Sequence, residues 1–354
     1  MKRAAQGLLA LAFTCGLGWW AFRDVDWAGQ FRGLASAQFI WLIPYFVALT
    51  IMHVVRVIRW RLVLPKGEAS IMAINEALAI GYMLVVVLPF RLGELVRPVV
   101  LTRKSRVSFG TASGTVVVER IFDGVFVAVS LRVLLLTVSG NPESLQYLGW
   151  AANVVVAAFT SVLAFLLAAF WQRERTAAVI RALVRPVSVE LAEKLQAFSN
   201  QFVQALRQWW SPGRFLVFLV LTATFWTLQG VTLLIMAQAF SCGGAVDPSC
   251  VPLNATFQSS LVVAAILVVG LMIPAAPGMT GTFQAAARVG LALFVGEQVL
   301  TGTGMAYANA LWLFQTGHQI VLGLLVAVLS GTSLGNLLGN AKAGAEEHLP
   351  STPT

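Results

Sequence analysis

Long apolar runs dominate the chain, and short stretches that are polar or contain Pro and Gly separate them. Six runs approach or exceed the roughly 20 residues that a helix needs to cross the hydrocarbon core of a bilayer. They cover residues 4–22, 39–58, 113–138, 148–171, 214–240 and 303–330. This pattern predicts about six transmembrane helices within one membrane domain over residues 1–335. The polar tail over 336–354 is predicted to be disordered.

Two further apolar stretches, 71–105 and 256–298, are interrupted near their centres by a matching element. Each interruption reads apolar-Pro-x-x-x-Gly, and Pro and Gly break helices. Two half-length limbs fit 35–43 residues with a central break better than two complete spans, which are the alternative. We therefore predict two re-entrant helical hairpins. The tips should contain Pro89 and Gly93 in the first hairpin, and Pro274, Pro277, Gly278 and Gly281 in the second.

Positive charges suggest how these segments are oriented. If the N-terminus is cytoplasmic and the six runs cross, nearly all Lys and Arg fall inside and only Arg23 and Arg32 fall outside. This is the positive-inside pattern of a cytoplasmic membrane. The first hairpin then enters from the cytoplasm and the second from outside, which predicts an inverted repeat of residues 39–138 and 214–330. We expect a multi-pass protein of a prokaryotic inner membrane with both termini cytoplasmic.

Composition narrows the function classes. Hydrophobic residues make up 58% of the chain and charged residues 11%, against about 25% in average soluble proteins. The net charge of +9 does not indicate nucleic-acid binding, because no basic stripe interleaved with aromatic residues occurs. The amphipathic stretch 172–213 is predicted to be a cytoplasmic helix that lies on the membrane or packs on the spans. Cys242 and Cys250 could form a disulfide or remain unpaired.

Charged residues inside the predicted membrane region are the candidates for function. Each costs roughly 2.5–3.5 kcal/mol near the bilayer centre, so a group of them requires mutual pairing and a reason to be there. Arginine suits lipid phosphate because its planar fork contacts two oxygens. We predict that the substrate is bound by Arg59, Arg91, Arg97, Arg120 and Arg288. Glu94, Glu119 and Asp123 are predicted to hold these arginines or to carry protons.

Two other interpretations of the same charges remain open. The network could satisfy itself and only lock the first hairpin to its neighbours. Alternatively, Glu119 and Asp123, one helical turn apart, could bind a metal in an intramembrane lipid transferase. A single such turn without a second acidic cluster supports that interpretation weakly, and we predict no metal and no cofactor. The glycines of the second hairpin could present backbone amides to a phosphate or could only allow the tips to pack.

Three elements resemble the lysylphosphatidylglycerol synthase transmembrane, or flippase-like, family. They are Leu88-Pro89-Phe90-Arg91-Leu92-Gly93-Glu94-Leu95-Val96-Arg97, Glu119-Arg120-Ile121-Phe122-Asp123 and Pro277-Gly278-Met279-Thr280-Gly281-Thr282-Phe283. The resemblance covers about residues 5–330 and implies movement of a phospholipid between leaflets, an aminoacylated one in some members of the family and an unassigned one in others. The family commonly carries Glu where this chain has Gln284, which argues against a proton carrier in the second hairpin. We expect no aminoacyl-transferring domain beside this membrane domain, and therefore we do not expect an enzyme.

Together these observations predict translocation of an anionic phospholipid or a polyprenyl-phosphate-linked lipid through a polar groove between the hairpins. The expected partners are membrane lipids and not nucleic acid. Without a Gly-x-x-x-x-Gly-Lys-Ser/Thr loop, direct drive by ATP is not expected. The alternatives are an accessory or scaffold subunit of a lipid- or glycan-modifying membrane enzyme, and an intramembrane lipid transferase.

Overall fold

The part of the chain that the computed structural model describes is mostly helical and contains no β-strand. That part comprises residues 19, 26–88, 91–137, 142–171, 188–189, 211–241, 251–272 and 277–332. The principal helices are α1 (Trp27–Ala35), α2 (Leu42–Val63), α3 (Ile71–Val87), α4 (Gly93–Arg103), α5 (Phe109–Leu135), α6 (Pro142–Trp171), α7 (Pro212–Ala239), α8 (Phe257–Gly270), α9 (Thr282–Leu291) and α10 (Met305–Leu329). The protein is an all-α polytopic membrane protein.

Several of these helices are long enough to cross a membrane. Four segments in the described part combine sufficient length with high hydropathy: Phe39–Val63, Gln146–Ala164, Pro212–Ala239 and Glu297–Leu329. Helix α5 has 27 residues but carries four charged side chains. These helices cover five of the six predicted spans with small shifts at their ends. The sixth, 4–22, lies outside the described residues except for Trp19, as do most of the linker and the entire tail.

Helix α1 was not predicted, because its nine residues are too few and too polar for a span. It lies against the start of the last long segment instead. Gly33 of α1 faces the backbone of Thr303, where a π-helical turn over Leu300–Gly304 leads into α10. The side chains of Trp27 and Phe31 on this short helix are exposed. Aromatic residues at this position are typical of the membrane–water interface.

Both interrupted apolar stretches fold into pairs of helices. The first pair is α3 and α4, and the second is α8 and α9; the two members of each pair pack against each other. Ser70 caps α3 by accepting a hydrogen bond from the backbone N–H of Ala73. Thr256 and Ser259 form a capping box at the start of α8. At about 1.5 Å per residue, α3 and α8 are about 25 Å and 21 Å long, shorter than a hydrocarbon core of about 30 Å.

The long helices α2 and α7 pack together in opposite directions. The backbone N–H of Gln38, just before α2, donates to the carbonyl of Ala239 at the end of α7 at 2.8 Å. At the other end, Nη2 of Arg214 donates to the carbonyl of Leu62 at 2.5 Å. These two contacts place the end of each helix beside the start of the other.

Each apolar hairpin also packs against a long helix from the other half of the chain. The start of α3 lies beside the end of α10, where the hydroxyl of Thr332 donates to the carboxylate of Glu76. The start of α8 lies beside the end of α5, where Nε2 of Gln258 donates to Oγ1 of Thr137 at 2.7 Å. The two hairpins are thus held in equivalent places, each at the end of the other half's last helix.

Candidate functional site

A group of buried charges on α2, α4 and α5 lies at the centre of the first half. The carboxylate of Glu119 is fully buried and accepts hydrogen bonds from two arginines. Arg59 donates from Nη2 to Oε1 at 2.5 Å, and Arg97 donates from Nη2 to Oε2 at 2.9 Å. Arg59 also donates to both oxygens of Asp123, at 2.5 Å and 2.9 Å. One guanidinium therefore bridges two carboxylates that lie one turn apart on α5.

Arg97 is held by aromatic rings as well as by charge. Its guanidinium carbon lies 4.6 Å from the ring centre of Trp60 and 5.1 Å from that of Tyr82, within cation–π range. Gly81 makes room for this side chain, since a Cβ there would overlap Cγ of Arg97. Arg59 and Arg97 are both almost fully buried and lie behind the cavity described next.

A cavity of about 960 Å³, including its open mouth, lies between the two hairpins and the helices α2, α5, α7 and α10. Residues of both hairpins line it, among them Val85 of α3 and Leu267 of α8. Its charged lining consists of Arg56, Arg91, Arg120 and Asp123.

Arg91 lies at the tip of the first hairpin, in the left-handed backbone region with a φ of 56°. Its Nη2 lies 2.9 Å from a carboxylate oxygen of Glu94. Its Nη1 donates to the carbonyl of Leu271, directly after α8, at 3.1 Å. Arg91 therefore joins the tip of the first hairpin to the end of the first limb of the second.

Arg120 connects the cavity to the buried charges. Its Nη2 donates to the hydroxyl of Tyr82 at 2.8 Å, and its Nε lies 3.4 Å from a carboxylate oxygen of Glu94. A longer ion pair of 3.8 Å joins it to Asp123, whose other oxygen accepts a hydrogen bond from Nε1 of Trp226 at 3.3 Å. Arg120 is thus positioned by one phenol and two carboxylates while it faces the cavity.

Arg56 is a further cavity arginine, and it is absent from the predicted binding residues. It makes no ion pair and no hydrogen bond with the described residues, and its guanidinium lies 4.3 Å from the ring centre of Tyr82 and 4.8 Å from that of Phe225. Its spacing of three residues from Arg59 was a usable signal, because residues three apart lie on one side of a helix.

The charges around the cavity do not balance. Five arginines contribute positive charge (Arg56, Arg59, Arg91, Arg97 and Arg120), and three carboxylates oppose them (Glu94, Glu119 and Asp123). The cluster therefore carries two positive charges in excess. The arginines that line the cavity are better placed to meet an anion there than the two buried behind it.

The second hairpin presents backbone and neutral groups to the cavity. Gly278 and Met279, which line it, have φ values of 74° and 53°, and Nε1 of Trp312 donates to the carbonyl of Gly278 at 2.7 Å. Gly281, with a φ of 82°, donates its N–H to Oε1 of Gln284 at 2.8 Å. Gln284 thus caps α9. Its side-chain amide therefore fixes the turn at the second tip.

Several predicted site residues lie away from this arrangement. Arg288, on α9, does not line the cavity and pairs with Glu297 at 3.4 Å. Pro277 begins a short 3₁₀ turn at the second tip, and Gly93 begins α4. Pro89 and Pro274 lie outside the described residues.

The carboxylates of α5 are occupied by arginine. Both oxygens of Asp123 and one oxygen of Glu119 accept hydrogen bonds from Arg59. Across the described ranges, no three His, Cys, Asp or Glu side chains come together in a way that could hold a metal ion. Glu119 and Asp123 are therefore members of an ion cluster with arginine.

The comparisons with known proteins agree with the resemblance of the motifs. The model of the lysylphosphatidylglycerol synthase TM region matches residues 7–317, which is most of the 354 residues. No curated protein and no solved structure matches the chain. The matched region includes both hairpins, the charged cluster and all of the cavity except Gln319. The chain is therefore a multi-pass membrane protein that belongs to the lysylphosphatidylglycerol synthase transmembrane-region family, which connects it with membrane lipids.

Proposed function

We propose that this protein moves a lipid with an anionic headgroup between the two leaflets of the membrane. The observation that carries the proposal is the cavity between the hairpins, which three arginines line within a cluster that has excess positive charge. A buried, hydrogen-bonding arginine is a strong ligand for phosphate. The anionic phosphate would enter the cavity, while the acyl or prenyl chains stay in the bilayer.

The membrane layout that we propose has two re-entrant hairpins of opposite orientation. The limbs α3 and α8, about 25 Å and 21 Å long, are shorter than a hydrocarbon core of about 30 Å, and the tips of the two hairpins touch through Arg91 and Leu271. Non-helical backbone at membrane depth is tolerated where it is buried in protein or faces a water-filled cavity. Both tips meet this condition, since Arg91 and Gly278 line the cavity.

We further propose that the two halves form an inverted repeat. Exchanging α2 to α5 with α7 to α10 reproduces the observed packing: α3 lies on α10 as α8 lies on α5, and α4 on α5 as α9 on α10. Because α2 and α7 are antiparallel, the exchange reverses direction across the membrane. Inverted repeats with a central site are typical of alternating-access transporters.

In this proposal the arginines divide into two roles. Arg56, Arg91 and Arg120 contact the headgroup, whereas Arg59 and Arg97 hold Glu119 and position α5. The carboxylates neutralise part of the charge so that the arginines remain stable without substrate. No chemical step is needed, and we propose a prokaryotic inner-membrane protein with cytoplasmic termini that moves lipid downhill or along a gradient.

The test is lipid movement by the purified full chain in liposomes that carry fluorescent phosphatidylglycerol. Dithionite quenches only the dye in the outer leaflet. Further quenching therefore reports labelled lipid that the protein has moved from the inner leaflet to the outer one. We expect Arg56→Gln and Arg91→Gln to slow the protein-dependent movement by about tenfold to a hundredfold, because a charged hydrogen bond of about 1.5–3 kcal/mol to phosphate is lost. Arg56→Gln is the cleaner variant, since Arg56 has no ion pair with the described residues and its loss leaves no carboxylate exposed.

A matched control is Arg132→Gln, near the other end of α5, where the guanidinium donates to Asn153 at 2.8 Å outside the cavity. Its rate should equal that of the unaltered protein. Dye trapped inside sealed vesicles reports any general leak to dithionite. The proposal would be contradicted by equal rates of lipid movement for Arg56→Gln, Arg91→Gln and Arg132→Gln. It would also be contradicted if the protein moved no more lipid than protein-free vesicles do.

A further inference from the structure

Arg91, at the tip of the first hairpin, binds one neutral and one charged acceptor. Its Nη1 donates to the backbone carbonyl of Leu271 at 3.1 Å, and its Nη2 lies 2.9 Å from a carboxylate oxygen of Glu94. Leu271 is the C-terminal cap of α8, where a carbonyl has no partner within its own helix. The helix dipole also favours a cation at this end. The guanidinium therefore fastens the first hairpin to the second.

A second contact between the hairpins is the packing of the turn Pro277–Met279 against α3. No hydrogen bond between described residues joins this turn to α3. Such packing is not directional, whereas a hydrogen bond fixes one arrangement of its two groups. The bond from Arg91 to Leu271 is therefore the directional contact of the hairpin tips in the described part of the chain.

The negative charge near Arg91 is shared with a second arginine. The carboxylate of Glu94 lies 2.9 Å from Arg91 through one oxygen and 3.4 Å from Arg120 through the other. Both arginines line the cavity, and Nε of Arg91 is buried without a hydrogen-bond partner among the described residues. One carboxylate thus faces two cations. An anion that enters the cavity meets two guanidinium groups whose charge is only partly balanced.

A phosphate oxygen is a stronger acceptor for arginine than a peptide carbonyl is. Hydrogen bonds between two charged groups are roughly twice as strong as those between neutral groups, and a low local dielectric increases the difference. A phosphate that reaches Arg91 from the cavity therefore competes with the carbonyl of Leu271 for the Nη1 donor. Glu94 keeps Arg120 as a partner when Arg91 turns, so the exchange leaves no carboxylate unpaired.

We propose that Arg91 and the carbonyl of Leu271 form a latch between the hairpin tips, which an anionic lipid headgroup releases by taking the Nη1 donor. This inference rests on the proposed function and adds how recognition of the headgroup is coupled to motion. A ligand shifts a conformational equilibrium only through different affinities for the two states. The latch supplies that difference, because the same donor binds the carbonyl in one state and phosphate in the other.

The test measures the separation of the tips in the purified full chain by electron paramagnetic resonance. Spin labels are attached at Leu95→Cys and Met272→Cys, which replace exposed side chains of the two hairpins, after Cys15, Cys242 and Cys250 have been replaced by Ser. Short-chain phosphatidylglycerol should shift the label pair to longer distances. Diacylglycerol with the same chains lacks the phosphate and should cause no shift.

Two variants separate the latch from the other phosphate contacts. Arg91→Gln removes the guanidinium that reaches Leu271, so its labels should lie farther apart without lipid and should not respond to lipid. Arg56→Gln leaves the latch in place and should keep the closely spaced labels. It should raise the lipid concentration at half-maximal shift by about tenfold to a hundredfold, because one charged hydrogen bond to phosphate is lost.

The matched control is again Arg132→Gln, whose guanidinium donates to Asn153 in the unaltered protein, outside the cavity. It should match the unaltered protein both in the initial label distance and in the response to lipid. If Arg91→Gln does not fold, the comparison of phosphatidylglycerol with diacylglycerol and the response of Arg56→Gln still decide the question.

The inference would be overturned by equal shifts with phosphatidylglycerol and diacylglycerol, by no shift with either, or by Arg91→Gln labels that stay close and still respond. Inorganic phosphate that shifts the labels at the same concentration as the lipid would overturn the lipid headgroup as the releasing group. The proposed function fails separately. Tips that separate in a protein that moves no lipid contradict only translocation, whereas lipid movement with unchanged tips contradicts only the latch.

Discussion

Glu119 accepts hydrogen bonds from Arg59 and Arg97 while none of the three side chains is more than 1% exposed. Removing one partner of such a buried pair leaves an uncompensated charge, which destabilises proteins by about 3–5 kcal/mol. We expect Glu119→Gln to lower the free energy of unfolding by about that amount. Unfolding by SDS in mixed micelles, followed by circular dichroism, measures it.

The matched control is Asp26→Asn, since Asp26 pairs with Arg32 at 3.5 Å and both side chains are about half exposed. An exposed pair contributes only about 0–1 kcal/mol, so this variant should unfold almost as the unaltered protein does. Similar losses in both variants would show that the buried cluster does not stabilise the fold.

At the scale of residues, the sequence indicated which charges matter but not which way they face. Intramembrane charges stand out against an apolar background, and Glu94, Glu119 and Asp123 do lie in one cluster with four of the five predicted arginines. Which arginine meets the cavity depends on helix rotation and on partners far along the chain. Arg56 and Arg59, three residues apart on α2, therefore differ: Arg56 lines the cavity and Arg59 pairs with the buried carboxylates.

At the scale of elements, Gly93 decides how closely α3 and α4 approach. A Cβ at this position would overlap the backbone nitrogen of Val85 and would crowd the carbonyl oxygen of Gly81. Backbone cannot move aside as a flexible side chain can, so we expect Gly93→Ala to destabilise the first hairpin by more than about 2 kcal/mol. The same SDS titration and the liposome assay both report the loss.

Gly317→Ala is the control for this variant, because a Cβ in the middle of α10 meets no atom within 4 Å. Alanine favours helix by about 1 kcal/mol over glycine, so this change should be neutral or stabilising. If Gly93→Ala were equally well tolerated, the inference that α3 and α4 pack tightly at Gly93 would be wrong.

The sequence predicted the helix break in each hairpin. It predicted only in part how the two hairpin tips contact each other. Pro and Gly in two matching places reveal that a helix stops. They do not reveal that Arg91 adopts a φ of 56° and reaches the carbonyl of Leu271, which requires both hairpins to be folded. Helix α1 escaped prediction because its stability comes from packing on the turn before α10, not from its own pattern.

At the scale of the whole molecule, the proposed layout predicts opposite exposure of the two hairpin bases. Single cysteines at Ser108 and Asn254, in a chain whose Cys15, Cys242 and Cys250 are replaced by Ser, should react with a membrane-impermeant maleimide from opposite sides. Ser108 precedes α5 and should react only from the cytoplasm. Asn254 precedes α8 and should react only from outside.

Labelling of both positions from one side would contradict the inverted repeat, and a cysteine at Arg106 provides a second cytoplasmic reference. The sequence alone suggested this orientation through its cations. The antiparallel packing of α2 and α7 independently supports the opposite directions of the two halves, because it comes from contacts and not from charge.

The two hairpins are fastened with unequal strength, although their packing is equivalent. Ion pairs through Arg97 and Arg120 tie the first one to α5, whereas the second is tied to α10 by neutral bonds such as that of Trp312 to Gly278. Breaking a neutral bond requires less free energy than separating buried ions. In the proposed layout, we therefore expect the second hairpin to separate from α10 more easily than the first separates from α5, which would favour opening towards the outer face.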